Sequence, residues 1–444
     1  MGDKLLVRAF DVEVGDCFYV RIPKARVLDG SRDDFHILID CGTKGSGELL
    51  RNALKKLAGD LPGSTAADKK RLDLLVVTHE HQDHIKGFDP DDFKDFVVEN
   101  VWLTAAMNPE HPQAEQTTKL NNFALTAMRE IESQNLALSP ELYDLMSLFS
   151  INNEGAIAAL REAIPGPGGP VYVEAGMTSA SLGLPIQGAT LRILAPEQNI
   201  DRFYLGDADA QVSGLSEGMV GFMGASAADS HPENISSGDF RRLQSRMMCN
   251  AFAFAELASR IKNNSSAVLL IEWADRRLLF VGDAEWEREY EEGKQNGSWN
   301  VMWHQQRQHL ANKLDFLKIG HHGSTNATPW PEGQADDSEP AEILEAILPL
   351  PAAGKEPSAQ ALVSTKRKNY RTIPNAELLV EIGKRVANTC NYEQALTDAG
   401  KDFTKLPHFA ELEERWLDKP QPQRTDLEAM ISGRGWVDVE IERG

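Results

Sequence analysis

The chain has 444 residues, of which 41% are hydrophobic, and a formal net charge of −21. This composition can fill the core of one large α/β domain or of two to three smaller ones, and the longest apolar runs are too short to span a membrane. The negative charge argues against non-specific adhesion to nucleic acid over the whole surface, although the composition still permits a local basic groove. The chain start lacks a signal-peptide pattern and the four cysteines lack a Cys-x-x-Cys spacing, so we expect a cytoplasmic protein with reduced thiols.

The first elements follow from the spacing of apolar residues. Strands are predicted at residues 5–10, 17–22 and 35–40, separated by stretches rich in turn residues. A leucine face predicts a helix over residues 47–57. The apolar run at residues 72–77 predicts a strand that is buried on both faces.

The middle and the end of the chain alternate between helical, irregular and strand patterns. Residues 109–167 have a polar, helical pattern and are predicted to form an inserted helical region. Residues 206–238 are rich in Gly, Ser, Ala and Asp and are predicted to form a long loop. A β-hairpin is predicted within residues 263–283 and a buried strand at residues 315–319. Residues 391–444 form a C-terminal extension that we expect to pack on the core.

Four potential metal ligands follow the strand at residues 72–77. His79, His81, Asp83 and His84 lie within six positions, where the chain must leave the sheet. Imidazole and carboxylate are ligands that borderline divalent metals such as zinc accept. The simpler interpretation is a polar loop after a strand, but the density of ligand types favours a metal site.

Two later strands deliver further ligand types. A two-metal hydrolytic site needs an acidic group between the metals and another histidine. Asp283 follows one apolar strand, and His321 and His322 follow another. Because neighbouring residues that leave a strand tend to point in opposite directions, only one of the two histidines should bind a given metal. We assign the ligand to His321 and expect His322 near the reacting group, where it could protonate a departing alkoxide.

The motif His-x-His-x-Asp-His resembles the first metal motif of the metallo-β-lactamase superfamily. Di-iron electron-transfer members of that superfamily carry a glutamate where this chain has His81, so the hydrolytic branch is favoured. The likeness extends to the C-terminal hydrolase domain of ComEC-type DNA-uptake proteins and their soluble relatives. Five segments carry it, namely residues 11–16 with 38–42, the motif at 79–84, and residues 263–266, 280–285 and 321–324.

The resemblance implies an α/β fold, a four-layer αββα metallo-β-lactamase sandwich over residues 1–390 with the metals at one edge of its two sheets. The helical insertion and the C-terminal extension lie outside the resemblance. It also implies one or two zinc ions, with manganese as the alternative. In this arrangement His79 and His81 hold the first metal, Asp83 and His84 hold the second, Asp283 bridges them and His321 completes the set.

Other residues are expected to act around the metals. Asp83 is expected to orient the attacking water and to act as base. Asp16, Asp40 and Ser324 are expected to fix the orientation of imidazole rings. Lys86 stands where the family usually has glycine, and its ammonium could bind a phosphate or lie across the surface.

One expected ligand lacks a clear counterpart in this chain. No histidine follows the first motif in the context of the family's third motif. His111 and His231 are weak candidates for that position.

The function predicted from these residues is metal-dependent hydrolysis, with a phosphodiester such as nucleic acid or a nucleotide as the favoured substrate. The same site would support hydrolysis of another ester, a lactone or a thioester. A third possibility is a metal-stabilised component of a larger assembly, in which the helical insertion binds a protein partner.

Overall fold

The structure is a computed structural model, and the part of the chain that it describes has several gaps. The described residues are 3–28, 31–66, 68–133, 145–146, 152–166, 168–206, 237–333, 337–366, 373–388, 390–391, 423–424 and 435–444. Every helix within these ranges is too short or too polar to cross a membrane.

Two β-sheets dominate the described residues. The first has seven strands in the order β16-β1-β2-β3-β5-β7-β8. Its strands are β1 (Leu5–Phe10), β2 (Phe18–Leu28), β3 (Ser31–Ile39), β5 (Leu74–Val77), β7 (Val101–Thr104), β8 (Val171–Val173) and β16 (Trp436–Ile441). Strand β5 lies between β3 and β7 and is parallel to both, so its carboxyl end opens at the same edge as theirs.

The second sheet has five strands in the order β13-β12-β11-β10-β9. Its strands are β9 (Ala189–Ala195), β10 (Val268–Trp273), β11 (Arg276–Phe280), β12 (Phe316–Lys318) and β13 (Gln360–Leu362). Strands β10 and β11 form the predicted hairpin, and β11, β12 and β13 run parallel. Two further two-stranded sheets pair β4 (Lys70–Leu72) with β6 (Phe96–Val98), and β14 (Cys390–Asn391) with β15 (Gln423–Arg424).

Helices cover the outer faces of the sheets. Those in the described residues are α1 (Gly47–Asp60), α2 (Gln82–Ile85), α3 (Pro90–Phe93), α4 (Glu115–Ser133), α5 (Asn152–Ala158), α6 (Ser237–Asn264), α7 (Ser298–Gln305), α8 (Arg307–Leu310), α9 (Glu339–Ile347) and α10 (Ala376–Gly383). Single 3-10 turns lie at Ala105–Met107 and His321–Gly323, and single π turns lie at Ala159–Ala163 and Asp201–Leu205.

The main core lies between the two sheets. Apolar side chains of both sheets meet there, as shown by the edge-to-face contact of Phe18 and Phe280 at 6.1 Å. Helix α1 packs its leucines against the outer face of the first sheet. Helices α7, α9 and α10 pack against the outer face of the second sheet. The layers are therefore α, β, β and α, which confirms the predicted four-layer architecture.

A separate apolar cluster joins α4 to α6. Ala124 and Ala127 of α4 pack in this cluster with Ala255 and Ala258 of α6. The described residues between 109 and 167 are mainly helical, as predicted, and their being an insertion stays a prediction. Most of the predicted loop at residues 206–238 lies outside the described residues, but the long helix that begins at Ser237 was not predicted.

Much of the C-terminal extension also lies outside the described residues. Its last strand, β16, pairs antiparallel with β1 and thereby forms one edge of the first sheet. Val437, Val439 and Ile441 enter the core between the sheets. The end of the chain is thus part of the sandwich, whereas the prediction for the rest of residues 391–444 stays untested.

Candidate metal centre

The first motif begins where β5 ends. All four residues of β5 are buried, and Thr78 then donates its backbone N–H to Asp40 Oδ1 at 2.8 Å. His81 occupies the N-cap position of the single-turn helix α2, which carries Asp83 and His84. All four predicted ligands of this motif are buried, so any charge on them must be balanced locally.

The ring nitrogens of the motif point into one small volume. His79 Nε2 lies 3.0 Å from His81 Nδ1, and the rings of His79 and His84 are 4.1 Å apart. On the other side, His79 Nδ1 lies 3.2 Å from Thr78 Oγ1 and 3.4 Å from Ser266 Oγ. These hydroxyls orient His79, and its Nε2 faces the rest of the cluster.

Asp283 reaches the cluster from the second sheet. Its Oδ1 lies 3.2 Å from His84 Nε2, and its Oδ2 lies 3.8 Å from His79 Nε2. The preceding Gly282 has a φ of 55°, and a Cβ there would approach the Thr78 Cβ to 2.7 Å. Glycine is therefore required at the point where the two strand ends meet.

The two adjacent histidines have different surroundings. His322 Nε2 lies 3.0 Å from Asp83 Oδ2, and its Nδ1 lies 2.8 Å from the carbonyl oxygen of Ser364. His321 Nδ1 instead lies 3.2 Å from Glu285 Oε1, and its backbone N–H donates to Asp283 Oδ1. Both have positive φ, a strained conformation for residues other than glycine that often marks functional sites.

In His322 and His84, hydrogen bonds determine which ring nitrogen carries the hydrogen, and the other nitrogen can then bind a metal. A carbonyl oxygen only accepts, so Nδ1 of His322 carries the hydrogen and Nε2 keeps its lone pair when the ring is neutral. His84 Nδ1 likewise lies 2.8 Å from Asp40 Oδ2, which leaves its Nε2 directed at the Asp283 carboxylate. If the ring is neutral, two acceptors face each other there, so the contact requires either a proton on Nε2 or a bound cation.

The cluster contains ligand atoms at metal-binding separations. Within the described residues, three groups place their ligand atoms within 4.8 Å of one another: His79, His84 and Asp283; Asp83, His84 and His322; and Asp16, Asp40 and His84. Asp83 Oδ1 and His84 Nε2 are buried and have no hydrogen-bond partner. Buried polar atoms without partners are costly, so this nitrogen and oxygen donor set fits a divalent ion.

The protein already contacts most of the third group, although Asp16 Oδ1 is buried and has no hydrogen-bond partner among the described residues. The ammonium of Lys318 forms an ion pair with Asp16 and donates to the carbonyl oxygen of Gly282 at 2.8 Å. Thr78 Oγ1 donates to Asp40 Oδ2 at 2.7 Å. Asp16 and Asp40 therefore support the His84 side of the cluster, and the predicted contact of Asp40 with an imidazole ring is confirmed.

Burial and mutual charge shift the ionisation of the ligand groups. Burial lowers the pKa of His79, and it lowers the pKa of His81 to about 3, which favours the neutral rings that metals bind. Burial acts to raise the pKa of Asp83, but Lys44 and His322 outweigh it and hold that pKa well below its usual range. Burial acts to lower the pKa of His84, but Asp283, Asp40 and Asp16 raise it on balance. The three carboxylates therefore stabilise a positive charge on His84.

Some predicted site residues lie elsewhere. Lys86 donates to the carbonyl oxygen of Gly45 at 2.7 Å, and Ser324 Oγ donates to Asn326, so Ser324 is not bonded to an imidazole ring. His111 lies 3.8 Å from Glu174, and it belongs to none of the three ligand groups. The predicted ligands His81 and His321 are also absent from these groups, although His81 Nδ1 lies 3.0 Å from His79 Nε2. His231 lies outside the described residues.

Three charged residues at the site were missed, namely Lys318, which pairs with Asp16, and two others. Lys44 places its Nζ 3.5 Å from Asp83 Oδ2, and Glu285 contacts His321. Lys44 follows the segment at residues 38–42 by two positions, and Glu285 closes the segment at residues 280–285. Their place in these motifs was the available signal, but only the packed loops show which side chains they meet.

Comparison with known proteins shows that part of the chain is similar to a known superfamily. Residues 15–90, which include His79, His81, Asp83 and His84, match the family model described as the metallo-beta-lactamase superfamily. The fold is a metallo-β-lactamase sandwich. No curated protein matches the chain. The superfamily is generally hydrolytic and metal-dependent, and the His and Asp groups supply potential metal ligands, so the findings support a metal-dependent hydrolase.

Proposed function

We propose that the chain hydrolyses phosphodiesters, such as nucleotides or oligonucleotides, with one or two zinc or manganese ions. The observation that carries this proposal is a lysine ammonium beside the ligand cluster. Lys44 Nζ lies 3.5 Å from Asp83 Oδ2. Burial acts to lower the pKa of His321, but Asp283 and Glu285 raise it on balance. Cationic groups at the cluster suit an anionic substrate better than a neutral ester.

The distances support a revised set of ligand roles. His79 and His81 would hold one ion, and Asp83, His84 and His322 the other. Asp283 suits the bridging role because its two oxygens face different rings, His84 and His79. His322 replaces His321 in this proposal because its Nε2 lies beside Asp83, whereas His321 contacts Glu285.

The remaining residues would handle protons and substrate charge. When bound, the ion would lower the pKa of its water to about 7 and supply hydroxide at neutral pH. Asp83 would orient that water rather than take its proton, because its low pKa makes it a weak base. His321 has a raised pKa and a side chain that is 28% exposed, so it can donate a proton to the departing alkoxide.

Lys44 rather than Lys86 would contact the phosphate. Lys86 holds the carbonyl oxygen of Gly45, and this bond fixes the loop that carries Lys44. The two lysines form a matched pair for testing substrate charge. Lys44→Gln should raise KM for bis(p-nitrophenyl) phosphate about tenfold and leave KM for p-nitrophenyl acetate nearly unchanged, because one charge-assisted hydrogen bond is lost.

The experiment uses metal-loaded protein and steady-state kinetics with both substrates. Lys86→Gln is the control, and it should change both KM values by similar factors. Equal effects of Lys44→Gln on the two substrates would favour hydrolysis of another ester, a lactone or a thioester. Absence of hydrolysis of either substrate by metal-loaded protein would favour the metal-stabilised assembly component.

A further inference from the structure

A cavity of about 470 Å³ lies directly beside the ligand cluster. One part of its wall is His79, and helices α4, α5 and α6 supply most of the rest. We call it the insertion cavity and define it by Met107, Asn108, Asn121, Leu125, Ile157 and Lys262. Its volume lies within the range of about 300–1,000 Å³ that small-molecule sites occupy.

Several charged side chains of the wall have partners, either in the wall or outside it. Lys262 Nζ lies 2.8 Å from Glu80 Oε1, and Glu154 forms an ion pair with Arg129. Arg161 donates to the carbonyl oxygen of Met107 at 2.5 Å. The pairing of Lys262 with Glu80 weakens the attraction of this side of the wall for a second phosphate.

Asn121 places a hydrogen-bond acceptor in the cavity wall. Its Nδ2 donates to Glu80 Oε1 at 3.2 Å, and because a carboxylate only accepts, this contact fixes which end of the amide is Oδ1. Oδ1 is buried and has no hydrogen-bond partner. A buried acceptor of this kind favours a ligand that brings an N–H or O–H donor.

The rest of the wall combines apolar and amide groups. Met107, Leu125, Ile157 and Ala258 supply apolar surface, while Asn108, Asn122 and Thr118 supply hydrogen-bonding groups. A flat heterocycle has apolar faces and a rim of donors and acceptors, so it matches both kinds of group.

We propose that the insertion cavity binds the nucleobase of a nucleotide substrate whose phosphate lies at the ligand cluster. This inference rests on the proposed function and adds the substrate class. The cavity adjoins His79, so a nucleotide can place its base between the helices while its phosphate stays beside the metal ligands.

Calorimetric titration of the full chain tests this proposal without relying on turnover. The probes are the four common nucleoside 5′-monophosphates, with ribose 5-phosphate as the ligand that lacks a base. At least one nucleotide should bind about tenfold more tightly than ribose 5-phosphate, because the base gains burial and a hydrogen bond. Equal affinity of all four nucleotides and ribose 5-phosphate would overturn the proposal.

Two variants locate the effect in the cavity. Leu125→Trp fills the space, and Asn121→Leu removes the acceptor. Each should reduce the ratio of the affinity for the nucleotide to that for ribose 5-phosphate to between about one and three. Thr126→Trp is the matched control, since it adds the same bulk to an exposed position of α4, and it should keep the full preference. A preference that survives both cavity variants would also overturn the proposal.

Hydrolysis of bis(p-nitrophenyl) phosphate separates this proposal from the proposed function, because that diester has no nucleobase. If the wild-type protein binds a nucleotide through the cavity but does not hydrolyse the diester, the cavity proposal stands and the proposed function fails. If it hydrolyses the diester but shows no preference for a nucleotide, the proposed function stands and the cavity proposal fails.

Discussion

At the scale of single residues, the adjacent histidines His321 and His322 show what sequence can and cannot predict. The sequence predicted that the two rings would play different roles, because neighbouring residues cannot easily reach the same metal. It could not predict which ring faces Asp83, because both residues leave the strand with positive φ instead of following the alternation of a strand. The assignment of the ligand to His321 stays a prediction, and the distances favour His322.

Alanine substitutions distinguish the two assignments. His322→Ala should reduce the bound metal and the activity together, because it removes a nitrogen that lies 3.0 Å from Asp83 Oδ2. His321→Ala should reduce turnover while metal is retained. Elemental analysis of both variants provides the measurement. Metal loss that follows His321 instead would restore the assignment made from sequence.

A buried histidine away from the site predicts a pH dependence of stability. Burial lowers the pKa of His36 to about 4, and its Nδ1 lies 2.7 Å from the Tyr19 hydroxyl oxygen. In the unfolded chain its pKa is about 6.5, so the unfolded state binds more protons as the pH falls below that value. The contribution of His36 to stability is therefore complete above pH 6.5 and is lost as the pH falls towards 4.

The His36→Gln variant tests this contribution, because glutamine can keep a hydrogen bond to Tyr19 but does not titrate. Between pH 7.5 and pH 5, the wild-type free energy of unfolding should fall by about 2 kcal/mol more than that of the variant. Urea denaturation at the two pH values measures the difference. An identical pH dependence in both proteins would show that His36 is not the responsible group.

At the scale of elements, the strands that deliver the site were predictable and their meeting points were not. The runs ending at Val77, Phe280 and Lys318 are short, apolar and buried, which is the pattern of inner strands. Contacts such as that of Lys318 with Asp16 depend on how the two sheets pack, and the local sequence pattern does not indicate them. Helix α6 was not predicted, and its start follows a stretch of sequence rich in Gly and Ser, which resembles a loop.

The turn after β11 can be tested by substitution. Gly282→Ala should destabilise the protein by about 2–4 kcal/mol and reduce bound metal, because its Cβ would collide with Thr78 and displace Asp283. Gly354→Ala is the matched control: its φ of 76° is also positive, but its Cβ would enter open space. The control should cost about 1 kcal/mol and leave the metal content unchanged. Similar losses for the two variants in thermal unfolding would contradict the steric account.

At the scale of the whole molecule, the ligand cluster joins the two halves of the sandwich. His79, His81, Asp83 and His84 follow a strand of the first sheet, whereas Asp283 and His322 follow strands of the second. The superfamily motif predicted the layers, but the cavity beside His79 depends on how α4, α5 and α6 pack, which the sequence did not reveal. A bound ion would therefore stabilise the packing of one sheet on the other.

Elemental analysis of the purified full chain, combined with thermal unfolding before and after chelation, tests the central claim most directly. The account predicts between one and two divalent ions per chain, and a lower unfolding temperature after chelation, because an ion that binds only the folded state stabilises it. Asp83→Ala should contain less metal than the wild-type protein. A folded wild-type chain with no metal above background, and with an unfolding temperature that chelation leaves unchanged, would contradict the account.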